Sequence, residues 1–187
     1  MTIPPSWYGH ASEIAQRAPT VIETVKPFLA LASYVDENGW GGACHAVAAV
    51  LYVLFWEVGV SSTLCLGEAQ LGRIAFDHSW VEVDGAVFDV AIMGTLMEEV
   101  GAPPTFRNRD LDTRRESRVR YGVTTGQERQ ALANAVLATP FHRFMSRYPD
   151  HPEGLWAIAR LVGMRAGLSL SVRQLKERHG PTEWCVR

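Results

Sequence analysis

Three side chains have the types and spacing for covalent acyl-transfer chemistry: Cys44, His78 and Asp89. Cys44 follows the stretch Asp36-Glu37-Asn38-Gly39-Trp40-Gly41-Gly42, whose glycines and asparagine prevent regular structure. It also opens a long apolar run, so it is expected at the tip of a buried helix. Backbone N–H groups at a helix start lack an intrahelical partner, and the helix dipole is positive there. Both effects favour a thiolate, which is the nucleophilic form of cysteine. The same free N–H groups can receive the oxyanion of a tetrahedral intermediate.

The other two groups come from a hairpin. Ile74 to Val83 and Ala86 to Ala91 read as strands joined by Asp84-Gly85, a pair suited to a type I′ turn. With that turn, Val83 faces Ala86. Counting back pairs Trp80 with Asp89 and His78 with Ala91. His78 shares the face of Trp80 and Asp89, because side chains alternate along a strand. His78 and Asp89 are then diagonal neighbours about 7–8 Å apart at Cα, close enough for an imidazole–carboxylate hydrogen bond. The carboxylate would orient the ring and leave its other nitrogen for the thiol. A register slip of one residue would separate the two groups.

Helices are expected across 11–33, with breaks at Pro19 and Pro27, and from Ala43 or Cys44 to about Val58, ending at Gly59. The second helix has no water-facing stripe from Ala46 to Val58 and belongs inside a domain. A strand is expected over Val60 to Leu66. Helical patterns resume near 126–138, 140–147, 154–166 and 171–179, the last with a Ser171–Gln174 capping box and a stop at Gly180-Pro181. The order predicts an α+β fold: a central buried nucleophile helix packed on a small antiparallel sheet, with extra C-terminal helices. The expected organisation is a single domain over 1–187, with a core at 11–104 and a charged connection plus helical extension at 105–187.

The chain has 187 residues, 47% hydrophobic and 20% charged, with a formal charge of −2 and a pI near 6.3. That balance gives no pull toward nucleic acid or an anionic membrane. The run Ala46–Val60 contains Glu57 and is shorter than the ~20 residues a bilayer span needs. Pro4 and Pro5 stand where a signal peptide would be basic, and no apolar core follows. Three cysteines without a C-x-x-C pair argue against a disulfide scaffold or zinc site, so free thiols and a cytoplasmic setting are expected, with no cofactor and no metal.

Other side chains invite plainer readings. A lone cysteine is commonly a small core residue, a strand-end aspartate bonds nearby backbone, and His45 points away from its neighbour on a helix. Asn38 is a weak candidate to donate to the oxyanion, and Trp40 and Trp80 are weak candidates for substrate contact. Cys65 is expected in a strand and Cys185 near the surface. Residues 107–120 hold six arginines against Asp110, Asp112 and Glu116. They read as a solvated loop, or else as a cover or clamp for an acidic substrate or nucleic acid.

The segment Gly42-Ala43-Cys44-His45-Ala46-Val47-Ala48-Ala49-Val50, followed by Gly59-Val60-Ser61-Ser62, resembles the nucleophile helix of transglutaminase-like, papain-fold cysteine enzymes. The run from His78 through Trp80 and Glu82 to Asp89 resembles their H-x-W-x-E … D segment. Within that family the nearest likeness is to bacterial proteins that process lasso-peptide precursors. The likeness covers about residues 38–92, and Val90 stands where many relatives have proline. It implies Cys44 as nucleophile, His78 as general base and then acid, and Asp89 as the orienting carboxylate. The expected activity is hydrolysis of a peptide or amide bond in a peptide or protein substrate. Transfer to an amine, or a non-catalytic binding module on the same fold, are the alternatives.

Overall fold

In a computed structural model, residues 3–95, 101–149 and 151–187 are described. The fold is α+β. Helices α1 (Ser6–Gln16), α2 (Val25–Glu37) and α3 (Cys44–Glu57) precede three strands, β1 (Thr63–Leu71), β2 (Ile74–Val83) and β3 (Ala86–Asp89). Short strands β4 (Thr105–Phe106), β5 (Arg109–Asp110) and β6 (Val119–Val123) follow. Helices α4 (Ala131–Ala138), α5 (Phe141–Ser146), α6 (Leu155–Arg165) and α7 (Val172–His179) lead to the last strand, β7 (Cys185–Val186). The sheet runs β5-β4-β3-β2-β1-β6 and curls into a half-barrel, while β7 adds to β1 in parallel.

Helix α3 is apolar on every side and is buried accordingly, from His45 to Leu51 and again from Val53 to Phe55. It packs on β1 and β2 in front and on α2 and α6 behind. Phe28 of α2, Phe55 of α3, Phe88 of β3 and Phe106 of β4 interlock edge to face, with centroids 4.9–5.2 Å apart for Phe88–Phe106, Phe28–Phe106 and Phe55–Phe88. Such aromatic pairs add stability beyond their buried area. They fix α3 against the strands that carry the hairpin.

The hairpin register is the expected one. Val83 pairs Ala86, Glu82 pairs Val87 and Val81 pairs Phe88, with positive φ at both Asp84 (50°) and Gly85 (72°). β3 is shorter than expected. It stops at Asp89 because the chain turns into a 3₁₀ segment at Ala91–Gly94, where the Ile92 N–H donates to Asp89 Oδ1 (3.2 Å). Beyond that point β2 has no strand on that side among the described residues.

Several other expectations need correction. The strand expected over Val60 to Leu66 begins later and runs to Leu71, because pairing with β2 carries it through Gly67. Pro19 opens a 3₁₀ turn, but Pro27 does not interrupt α2; it sits in the first turn, where its missing N–H costs nothing. Ser171 precedes α7 without a side-chain cap. The arginine-rich stretch is not simply loop. Positive φ at Arg107 and Asn108 turns β4 into β5, Asn108 Oδ1 accepts from the Val87 N–H (2.7 Å), and Arg114 pairs with Glu13 (2.8 Å).

Among the described residues no helix is long and apolar enough to cross a membrane. Gly154, ahead of α6, has φ 58° and ψ −143°, and a Cβ there would lie 2.2 Å from the Met145 carbonyl oxygen. Only glycine fits this conformation and approach. Gly154→Ala is therefore expected to destabilise the fold by about 2–4 kcal/mol in denaturant unfolding.

Candidate active site

The tip of α3 meets the open side of β2. Gly42 N–H donates to the Gly94 carbonyl (2.7 Å), tying the glycine loop to the turn after β3. Ala43 precedes the helix with no side-chain cap, so the first amides of α3 have no partner from the helix or from a capping side chain. Cys44 is half-buried there, and its thiol interacts with the rings of both His78 and His45.

His78 Nε2 lies 2.7 Å from Asp89 Oδ2, and both residues are only 1% exposed. The ring's remaining nitrogen, Nδ1, is the one left for the sulfur. Asp89 is held from two further directions: the Tyr121 hydroxyl donates to Oδ2 (2.9 Å) and the Ile92 N–H to Oδ1. Phe76 stands edge-on to the His78 ring at 5.5 Å, and Tyr121 lies at 6.3 Å. The imidazole is thereby fixed in a buried, aromatic setting.

The electrostatics follow from this placement. Burial pushes the Cys44 thiol up, but the bonds and charges of His45 and His78 outweigh it and bring the pKa down to about 6. Burial pushes His78 down, but the Asp89 carboxylate and then the Cys44 sulfur overcome it and raise it to about 10. Near neutral pH the pair is a thiolate beside an imidazolium. Cys65 contrasts with this, since burial pushes its thiol up to about 12.

A pocket of about 140 Å³ opens in front of the sulfur. Gly42, His45, Ala91 and Gly94 form one side, and Gln130, Leu132 and Ala133 at the start of α4 form another. The lining is mostly apolar, and Leu132 is 63% exposed at its edge. Gln130 is anchored through its N–H on Asp77 Oδ2 (2.5 Å).

Cys44, His78 and Asp89 thus converge. The weaker candidates do not join them. The Asn38 side-chain amide donates to the Tyr34 carbonyl (2.7 Å) at the exposed end of α2, so it closes a helix and is not aimed at the thiol. Trp80 is buried, packed at a tilt against Tyr121 with centroids 5.3 Å apart, and donates from Nε1 to Glu82 (2.9 Å), which makes it a packing residue. Trp40 packs between Tyr34 and Tyr148 and lines an adjoining hollow with Met93 and Gly94, outside the pocket of Cys44.

Sequence reasoning missed Tyr121, Ser79 and Gln130, and set His45 aside as pointing away from its helix neighbour. His45 does reach the site: it turns toward Ser79 Oγ (Nδ1 at 2.7 Å) and lines the pocket. The adjacent Cys-His pair was the available signal. Tyr121 had none, because it arrives by pairing β6 with β1 across about fifty residues of chain. Tyr121→Phe removes a donor to a buried carboxylate and is expected to cost about 1.5–3 kcal/mol of stability in thermal or urea unfolding.

No family model, no curated protein and no solved structure matches the chain.

Proposed function

We propose that the protein is a cysteine-dependent acyl-transfer enzyme of the papain or transglutaminase-like kind, most naturally a hydrolase of a peptide or amide bond. The observation that carries this reading is a buried imidazole bonded to a buried carboxylate on one side and facing a low-pKa thiol at a helix tip on the other. A merely structural cysteine needs no such arrangement.

The steps follow from the residues. The Cys44 thiolate attacks the carbonyl carbon, and the oxyanion rests on the Cys44 N–H at the start of α3. The His78 imidazolium gives its Nδ1 proton to the leaving amine, and a thioester remains on Cys44. Water then loses a proton to His78 and attacks the thioester, which releases the acid and restores the ion pair. Because the resting pair is already charge-separated, His78 acts first as an acid and then as a base, the reverse of the order that the family resemblance implies. Asp89 keeps the ring oriented throughout. Water is the simplest acceptor, since an amine would need a binding site of its own.

An activated ester tests this without knowledge of the natural substrate. With p-nitrophenyl acetate, acid-quenched protein is expected to carry an acetyl group on Cys44 by mass spectrometry. Cys44→Ala should abolish it and His78→Ala should slow it. Added methylamine that diverts the acetyl group from water would favour the transferase alternative. Absence of any acetyl-Cys44 would leave the binding-module reading in its place.

A further inference from the structure

We propose that Cys65 and Cys185 are a reversible disulfide pair that locks the C-terminal strand onto β1. β7 runs parallel to β1 with Cys65 directly opposite Cys185 and Leu66 opposite Val186. Paired strands lie about 4.8 Å apart, within the roughly 4.4–6.8 Å between Cα atoms that a disulfide spans. In-register residues of neighbouring strands point to the same face, and Cys185 packs against the buried cluster of Cys65, Trp80 and Val87.

The two thiols differ in the way stepwise exchange requires. Cys185 is half-buried and can meet a small disulfide such as oxidised glutathione. Its thiolate attacks one sulfur, forms a mixed disulfide and releases one glutathione thiol. The Cys65 thiolate then attacks the Cys185 sulfur and expels the second. The two thiol protons end on the two glutathiones. Cys65 is fully buried, and its raised pKa makes the second step the slow one.

The consequence lies one residue back along the chain. Trp184 turns to the opposite face of β7 from Cys185. Its ring stands edge-on to His45 at 6.3 Å and packs on Phe141 and Phe144. With its thiols reduced, this strand of two residues is held by ladder bonds, by Arg187 N–H on the Leu66 carbonyl (3.0 Å) and by the Arg187–Glu82 pair (2.6 Å). A covalent tie at Cys185 would fix the strand next to Trp184, and so the ring that packs on His45, a residue lining the pocket of Cys44.

Cys44→Ala leaves two of the three cysteines. After equilibration with oxidised glutathione and an acid quench, both are expected to be unreactive to Ellman's reagent. The mass should stay monomeric without glutathione, and unreduced peptide mapping should join 65 to 185. Melting should rise on the order of 10 °C and revert with dithiothreitol. Should Cys44→Ala not fold, Cys44→Ser serves in its place. Two free thiols, a lasting glutathione adduct on Cys185 with Cys65 intact, or a link only between chains would each overturn the pair.

Discussion

The rate of alkylation of Cys44 by iodoacetamide is expected to rise through a midpoint near pH 6, and His78→Ala should move that midpoint above 8. The sign follows from the cause. His78 is protonated and stabilises the charged sulfur, so the folded-state pKa sits near 6 instead of the usual thiol range of about 8.5. At pH 6.5 roughly three-quarters of such a thiol is ionised, against about 1% of an ordinary one. A thiolate of lower pKa is intrinsically less nucleophilic, which returns about tenfold. The net advantage at pH 6.5 is thus only several-fold, and the midpoint is the better readout. His78→Ala leaves burial unopposed except by His45. Cys65 should stay unmodified throughout in native protein, because it is buried and its thiol is pushed up to about 12. Equal rates and one shared midpoint for all three cysteines would end the case for an activated Cys44.

The parts of this site that could be read in advance were those set by local rules. The Asp84-Gly85 turn fixed the hairpin register, and the register fixed which residues face His78. The unbroken apolar pattern of α3 placed Cys44 at the tip of a buried helix. What lay beyond reach depends on pairing between distant segments. β6 joins β1 only after the chain has passed through β4 and β5, and it brings Tyr121 onto Asp89. α4 reaches the pocket through a backbone bond from Gln130 to Asp77. Asn38 misled because an asparagine before a glycine loop carries the same local signal whether it caps a helix or serves a site. Its bond to Tyr34 belongs to the first kind. The count of three cysteines argues for free thiols, and all three are free; only the parallel pairing of β7 on β1 shows that Cys65 and Cys185 stand opposite each other.

Turnover of an amide or activated ester is expected to follow a bell with limbs near pH 6 and pH 10, and Asp89→Asn should both collapse the rate and narrow the bell from its alkaline side. The acid limb is loss of the Cys44 thiolate, whose pKa is lowered. The alkaline limb is loss of the His78 proton, whose pKa is raised, so the imidazolium persists below about 10 and disappears above it. Both limbs are properties of the coupled pair. Alkylation needs only the thiolate and should show the acid limb alone, which separates the two assignments in one protein. Asp89→Asn keeps an oxygen that can accept from Tyr121 or Ile92, so the fold is expected to survive. It removes the charge that raises His78, and if the new amide turns its NH₂ toward the ring it forces the proton onto the nitrogen facing sulfur. The imidazolium then gives way to a neutral ring near neutral pH, and with it goes the partner that holds the thiolate. A loss on the order of 10²–10⁴ in kcat is expected, together with a rise in the alkylation midpoint. An Asp89→Asn protein that folds and keeps both its rate and its alkaline limb would show that the carboxylate serves only the turn after β3.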